Sequence, residues 1–242
     1  MLAAGNGDRF DNGSRRSKLL EPILGQPLII RTLISAQDAG VDTVEVVLGY
    51  QSERLRSTIE SARLSGLRVH FSYNPEWHLE NGVSVLAARE RFVHRRFALL
   101  MGDHLFDPDV LAKLLCADIG PQESLLAVDS RPAPLEIAAE ATKVWMQGER
   151  IEAIGKNLAE YNALDTGMFV CSTEIFDAID ESRASGDTTL SGGVRLLARR
   201  GLMRGIDIGH AAWYDIDTVA DLEQAENLLM EAAGSPETEP VL

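Results

Sequence analysis

Short runs of apolar and β-branched residues alternate along the chain with segments in which apolar residues recur every third or fourth position. Four of the runs predict strands, at 43–48 (TVEVVL), 68–73 (RVHFSY), 97–101 (FALLM) and 124–128 (SLLAV). The recurring pattern predicts helices between them, at 27–39, 52–62 and 82–92. This βαβ rhythm predicts an α/β, Rossmann-like fold with a mixed, mostly parallel sheet and helices on both faces.

The alternation changes after residue 130. Runs at 143–146 and 151–154 flank Gly148-Glu149, which is typical of a short hairpin, and a further strand is predicted at 166–171. We therefore expect a small antiparallel insertion within one domain.

Helical patterns return in the last third of the chain, at 174–182, 190–200 and 219–232. The last helix follows the run WYDID, and Thr218 and Asp221 at its start have the spacing of a capping box. The tail 233–242 is polar and contains two prolines, which predicts disorder. Residues 1–232 are therefore predicted to form a single domain.

Composition narrows the class of partner. The 242 residues are 45% hydrophobic, enough for the core of one large α/β domain, and the net charge of −14 argues against general affinity for nucleic acid or anionic membranes. No apolar run approaches the roughly 18 residues that cross a bilayer, so no membrane insertion is expected. Cys116 and Cys171 have no CxxC spacing, so no disulfide framework or zinc site is predicted, and a cytoplasmic location is expected. The expected partner is a small molecule.

The segment LAAGNGDRF, residues 2–10, differs from the rest of the chain. Residues 1–20 contain four basic and two acidic residues, a local balance of +2. Gly5 and Gly7 let the backbone approach a phosphate chain closely, and Arg9 and Lys18 can add charge-assisted contacts. The segment matches neither a Walker A motif nor a dinucleotide fingerprint. An ordinary glycine turn with solvated basic residues is the alternative.

This glycine-containing turn begins very close to the start of the sequence. Only Met1 and Leu2 precede it, although such turns normally follow a full buried strand. We therefore expect either that the first strand is clipped or that the start site is misplaced.

Acidic residues follow one predicted strand and also lie in the extended segment before the last helix. Asp103 comes directly after the run FALLM, where open α/β sheets bind ligands, and its carboxylate can hold Mg²⁺ against phosphate oxygens. Asp215 and Asp217 have the spacing that places both side chains on one face of an extended segment. Each of these acids has an alternative role in a turn or at a helix start, and His104 alone is expected to be structural.

Two polar segments are candidates for binding the remaining parts of a substrate. Asn81, Gly82 and Ser84 open a helix and offer the mixed donors and acceptors that a base edge requires. The second segment contains Lys156, Asn162, Asp165, Thr166 and Gly167. Ordinary turn chemistry is the alternative for each segment. The tryptophans Trp77, Trp145 and Trp213 are expected to be core or rim aromatics.

Together these segments resemble the nucleotidyltransferase superfamily that makes nucleotide-activated sugars and alcohols. The resemblance spans residues 1–232, and it is carried by LAAGNGDRF with Lys18, by GDH, ENGVS, IGK and YNALDTGMF, and by WYDIDT. ENGVS, YNALDTGMF and WYDIDT are similar in particular to inositol-1-phosphate cytidylyltransferases, with phosphocholine and sugar-phosphate cytidylyltransferases nearby.

The resemblance implies that CTP and a phosphorylated alcohol or sugar, with inositol 1-phosphate favoured, give a CDP-alcohol and pyrophosphate. It implies catalytic roles for Arg9 and Lys18, and Mg²⁺ binding by Asp103 and Asp217 with Asp215 as an alternative ligand. The implied nucleotide-binding residues are Leu2, Ala3, Ala4, Gly5, Asn6, Gly7, Asn81, Gly82, Ser84 and Asp103. The implied acceptor-binding residues are Lys156, Asn162, Asp165, Thr166 and Gly167.

Several alternatives remain open at this point. The acceptor can be phosphocholine or a sugar 1-phosphate, and the chain can be a non-catalytic relative that binds a nucleotide and regulates a partner. A homodimer is also compatible with the sequence.

Overall fold

The computed structural model describes residues 1–7, 10, 17–93 and 95–234. Arg9 and the part of the predicted tail beyond residue 234 lie outside these residues. In chain order the elements are β1 (Leu2–Ala3), β2 (Pro22–Ile23), β3 (Gln26–Pro27), α1 (Leu28–Asp38), β4 (Thr43–Leu48), α2 (Ser52–Ala62), β5 (Arg68–Tyr73), α3 (Asn81–Leu86), β6 (Phe97–Leu100), β7 (His104–Phe106), α4 (Pro108–Leu115), β8 (Ser124–Asp129), α5 (Leu135–Glu140), β9 (Lys143–Gln147), β10 (Arg150–Gly155), β11 (Ala163–Cys171), α6 (Glu174–Ala184), α7 (Leu190–Arg199), β12 (Met203–Asp207), β13 (Trp213–Asp215) and α8 (Val219–Gly234).

Six strands of the main sheet run in one direction. β5, β4 and β1 pair in parallel, and Leu2 of β1 forms a parallel bridge with Met101, just after β6. The order continues as β6-β11-β8-β12, in which β11 is antiparallel to both of its neighbours and β12 is parallel to β8. The carboxyl ends of β1, β6 and β8 and the beginning of β11 therefore meet at one edge of the sheet.

The predicted fold class is confirmed, and several elements match the sequence pattern closely. β4, β5 and α2 have the predicted bounds. The antiparallel hairpin is β9 and β10, which pair across Gly148, a residue with a φ of 59° that glycine adopts without strain. β1 is short, as expected, with two residues.

The predicted helix 82–92 is wrong in its second half. α3 ends at Leu86, and a 3₁₀ turn covers Arg89–Arg91. The ring of Phe92 stacks on that of Phe97 at a centroid distance of 4.3 Å. A continuous helix would carry the chain past the sheet, whereas the tighter turn returns Phe92 to it.

Apolar side chains cover both faces of the sheet because alternate strand residues point to opposite sides. In β8, Leu125 and Ala127 belong to the apolar cluster under α1 and α4, whereas Leu126 and Val128 belong to the cluster under α6 and α7. The predicted helices on both faces are thus confirmed. Within the described residues, no helix is both long and apolar enough to cross a membrane.

Candidate active site

An open cleft of about 1330 Å³ lies along the edge where the strands end. Its walls come from the loop after β1, the start of α3, the ends of β6 and β8, the beginning of β11 and the segment between β13 and α8. The cleft therefore collects side chains that are far apart in the sequence.

The glycine-containing loop after β1 exposes its backbone to this cleft. Among the described residues, no heavy atom lies within 4 Å of the position that a Cβ on Gly5 would take. Gly7 has a φ of 65°, and a Cβ there would lie 3.3 Å from Cγ of Lys18. The N–H of Tyr50 donates to the carbonyl of Ala4 at 2.9 Å, which fixes the loop to the end of β4. The loop can thus be approached closely by a ligand at Gly5.

Lys18 lies at the centre of the charged residues. Its Nζ is 2.8 Å from Oδ2 of Asp103 and 2.8 Å from Oδ1 of Asp217, and its side chain is only 12% exposed. Burial alone would lower the pKa of Lys18, but the two carboxylates outweigh burial and raise that pKa above its ordinary value. The lysine therefore stays charged and joins the end of β6 to the segment before α8.

His104 connects the two acidic segments beneath the cleft. Its Nδ1 donates to the carbonyl oxygen of Thr166 at 2.9 Å, and its Nε2 is 3.3 Å from Oδ1 of Asp215 and 3.7 Å from Oδ1 of Asp103. Burial would lower the pKa of His104, but the neighbouring carboxylates raise it to about 10. Gly167, with a φ of 75°, is required here because a side chain would collide with the imidazole ring.

The acidic residues fit a hard divalent cation. The carboxylate oxygens of Asp103 and Asp215 lie within 4.8 Å of each other, and Asp217 shares Lys18 with Asp103. Carboxylate oxygens are the protein ligands that Mg²⁺ prefers. The ammonium group of Lys18 between two of these acids already demonstrates that the site accepts positive charge.

The residues predicted to contact the base belong to α3, which provides part of the cleft wall. Asn81 and Ser84 line the cleft, as does Trp77, whose ring packs against Tyr50 at a centroid distance of 5.4 Å. The side-chain oxygen of Asn81 accepts from the N–H of Leu190 at 2.9 Å. Trp77 was predicted to be a core or rim aromatic, and the structure places it in the wall of the cleft.

Gly82 occupies a different environment, because it does not line the cleft. A Cβ at this position would lie 2.6 Å from the carbonyl oxygen of Thr188. The glycine therefore allows α3 to pack closely against the segment that leads into α7.

The predicted acceptor residues divide into two groups. Lys156, Asp165 and Gly167 line the cleft, and burial raises the pKa of Asp165 to about 6. Asn162 instead binds the backbone N–H and carbonyl of Met146, both at 2.9 Å. The hydroxyl of Thr166 is fully buried and donates to the carbonyl of Ala127 at 2.8 Å.

Arg131 also lines the cleft, although no sequence motif pointed to it. Its guanidinium forms a two-point contact with Asp129, at 2.8 and 2.7 Å. The indole N–H of Trp213 donates to the same carboxylate at 2.9 Å. The available signal was its position just beyond the end of a parallel strand, the rule that identified Asp103.

The balance of charge in the cleft is negative. Its described lining contains four cationic residues, namely Lys18, His104, Arg131 and Lys156, since the raised pKa of His104 keeps its imidazole protonated. It contains eight carboxylates, namely Glu80, Asp103, Asp129, Glu140, Asp165, Asp215, Asp217 and Asp221. Four positive and eight negative charges give a formal balance of −4, so a phosphate chain bound there would need an additional cation.

Comparison with known proteins identifies relatives over the whole chain. Bifunctional IPC transferase and DIPP synthase proteins are 34% identical in Rubrobacter xylanophilus and 31% identical in Thermococcus kodakarensis, with 100% and 96% of this chain covered. The alignments cover 54% and 50% of those proteins, so the chain spans about half the length of the curated relatives it matches. The inositol-1-phosphate CTP transferase from T. maritima has a similar structure, with a TM-score of 0.82, 25% identity and coverage of 97% of this chain and 95% of that one.

A family model described as the MobA-like NTP transferase domain matches residues 1–200, more than half of the chain. The matched region contains the glycine loop, Lys18, Asp103 and the antiparallel hairpin. The chain therefore belongs to the MobA-like NTP transferase domain family, a family of nucleotidyltransferases.

Proposed function

We propose that the chain is a Mg²⁺-dependent cytidylyltransferase that converts CTP and inositol 1-phosphate to CDP-inositol and pyrophosphate. The observation that carries this proposal is the position of Lys18 between Asp103 and Asp217, beside Gly7 of the glycine-containing loop. The similarity to the T. maritima transferase, which extends over 95% of that chain, supports CTP and inositol 1-phosphate as the substrates.

The reaction needs no covalent nucleophile and no general base. An oxygen of the acceptor phosphate attacks the α-phosphorus of CTP, a new P–O bond forms, and the bond to the departing pyrophosphate breaks. The acceptor phosphate is ionised at neutral pH, since its second pKa is about 6. Positioning and charge stabilisation are therefore the main tasks of the protein.

Lys18 is the residue that stabilises charge at the α-phosphate and on the leaving pyrophosphate. Asp103 and Asp217 hold the divalent ion, which we propose to be Mg²⁺ and which offsets the charge of the phosphates when bound. His104 orients Asp215 towards the same region, so Asp215 remains an alternative ligand. The proposed catalytic role of Arg9 belongs to a residue outside the described part of the chain.

The remaining assignments concern two groups of residues that line the cleft. Asn81, Ser84 and Trp77 are proposed to surround the cytosine, and Lys156 and Asp165 to contact the acceptor. Gly82, Asn162 and Thr166 are proposed to support these residues through packing and backbone hydrogen bonds.

The proposal is tested by incubating the purified chain with each nucleoside triphosphate, Mg²⁺ and a panel of phosphate monoesters, and by measuring pyrophosphate and the nucleotide product. CTP with inositol 1-phosphate is expected to be the preferred pair. Preference for phosphocholine or a hexose 1-phosphate would change the acceptor, and binding without any turnover would favour the regulatory alternative. Light scattering of the same sample measures whether the chain forms the homodimer left open above.

A further inference from the structure

Arg131 has no part in the function proposed so far, yet its guanidinium is held in a fixed orientation at the cleft. Nε donates to Oδ1 of Asp129 at 2.8 Å and Nη2 donates to Oδ2 at 2.7 Å. The backbone N–H of Arg131 also donates to Oδ1, at 2.9 Å. The carboxylate is 12% exposed and the arginine side chain is 40% exposed, so one edge of the guanidinium is anchored and the rest reaches the cleft.

The anchor itself is fixed by a third residue. The indole Nε1 of Trp213 donates to Oδ2 of Asp129 at 2.9 Å, so both carboxylate oxygens are engaged. Trp213 lies two residues before Asp215, on the strand that leads to Asp217. The orientation of Arg131 is thus connected to the segment that carries the proposed metal ligands.

The outer edge of the Arg131 guanidinium carries N–H donors that do not face Asp129. Of its five N–H groups, one on Nε and one on Nη2 face Asp129. Within the described part of the chain, the other three make no hydrogen bond. A planar edge with parallel N–H donors matches two oxygens of a phosphate group.

Arg131 lies some distance across the sheet from Asp103 and Lys18, the residues proposed to act at the triphosphate. It follows β8, which is two strands away from β6 in the order β6-β11-β8. At about 4.8 Å per strand, the end of β8 lies roughly 10 Å from the end of β6, where Asp103 and Lys18 are found. The start of β11, with Asp165, lies between them. A second phosphate beside the α-phosphate would therefore approach from the side of Arg131.

We propose that Arg131 binds the phosphate of the acceptor monoester through this outer edge, and that Asp129 and Trp213 are positioning residues for it. This inference rests on the proposed function and deepens it, because it assigns recognition of a phosphate monoester to one side chain. The alcohol part of the acceptor is left to Lys156 and Asp165.

Equilibrium binding tests the inference independently of turnover. Calorimetry would compare the wild type with Arg131→Gln, using inositol 1-phosphate, glucose 1-phosphate, phosphocholine and free inositol. The titrations would be run with and without Mg²⁺ and a non-hydrolysable CTP analogue. Arg131→Gln should weaken the binding of monoesters about 10- to 100-fold, and free inositol should bind neither protein. Arg68→Gln is the matched control, because Arg68 on β5 is an exposed arginine that pairs with Asp42. This variant should bind the monoesters as the wild type does.

The outcomes separate the two proposals. Equal affinity in the wild type and Arg131→Gln, or no binding of any monoester by the wild type, would overturn the role of Arg131. Binding that depends on Arg131 without release of pyrophosphate from CTP would support the inference and refute the proposed function.

The positioning roles have their own readout. Trp213→Phe removes the indole donor, and Asp129→Asn weakens the charged fork. Both should raise KM for the acceptor several-fold while KM for CTP stays near the wild-type value. A parallel change in both constants, or a change explained by a lower melting temperature, would contradict the positioning role.

Discussion

Charge at the centre of the cleft depends on Lys18, because its ammonium group separates two carboxylates that would otherwise face each other. Asp103 and Asp217 are each 2.8 Å from Nζ in a site with little solvent. Like charges at this separation raise the free energy of the folded state unless a cation lies between them. Lys18 therefore has a structural role as well as its proposed catalytic one.

The first prediction concerns Lys18→Met, which keeps the apolar stem and removes the charge. Turnover should fall about 100-fold or more through lost charge stabilisation. The melting temperature without divalent cations should also fall, and millimolar Mg²⁺ should raise it more in the variant than in the wild type, because the ion replaces the missing charge. Thermal unfolding with and without Mg²⁺ measures this difference. The control is Lys113→Met, at an exposed lysine on α4. If Mg²⁺ raised the melting temperatures of Lys18→Met and the wild type equally, the proposed metal ligands would be contradicted.

Gly5 carries the second prediction at this scale. A Cβ on Gly5 would meet no atom of the part of the chain that the structure describes within 4 Å, and the residue has no left-handed φ, so Gly5→Ala should fold with an unchanged melting temperature. If a phosphate chain occupies that space, the same methyl group should raise KM for CTP at least tenfold. Kinetics at varied CTP, with KM for the acceptor as the internal comparison, measure this effect. Unchanged KM for CTP would place the triphosphate elsewhere.

At the scale of elements, α3 and α7 form one wall of the cleft through two contacts. The side chain of Asn81 accepts from the N–H of Leu190, and Gly82 lies against the backbone of Thr188 and Thr189. The start of α7 is additionally capped by Thr189, whose hydroxyl accepts from the N–H of Gly192 at 2.9 Å. The proposed base pocket therefore depends on how closely the two helices approach.

Gly82→Ala tests this dependence. The added methyl group would lie 2.6 Å from a carbonyl oxygen, so the helices must separate, and the variant should lose about 1–3 kcal/mol of unfolding free energy. Gly120→Ala is the control, since the nearest atom there belongs to the flexible side chain of Glu123. Urea unfolding of both variants measures the loss. Wild-type stability in Gly82→Ala combined with weaker CTP binding would instead indicate a direct contact with the base.

Local patterns predicted much of the fold because apolar periodicity is a local property. β4, β5 and α2 follow from their own residues. Roles for Lys18, Asp103 and Asp217 in one site were implied by the family resemblance, and the structure brings the three side chains together. Local patterns did not predict that the side chains of Asn162 and Thr166 bind backbone groups and do not line the cleft. Asn162 and Thr166 take backbone partners at Met146 and Ala127, 16 and 39 residues away, and only the folded sheet brings those partners close. Arg131 was missed because its anchor depends on Trp213, 82 positions later in the sequence.

At the scale of the whole molecule, negative charge limits which anions can bind. The chain carries −14 overall, and the described lining of the cleft carries a formal −4 with His104 protonated. A free triphosphate approaching this field is repelled, whereas the local +2 of residues 1–20 attracts it. Binding of CTP is therefore expected to require a divalent cation.

This balance gives the last prediction, on the binding of a non-hydrolysable CTP analogue measured by calorimetry. In EDTA the affinity should be at least tenfold weaker than with Mg²⁺. Raising the salt concentration from 50 to 300 mM, which shortens the Debye length by a factor of about 2.5, should strengthen the metal-free binding, because screening reduces the net repulsion. A protein whose basic residues dominate the site would behave in the opposite way and lose affinity as salt rises. A steep loss of affinity with rising salt, or an affinity that EDTA leaves unchanged, would contradict this prediction. Residues 1–20 would then bind the triphosphate without a metal ion held by the carboxylates, and the carboxylates around Lys18 would need another explanation.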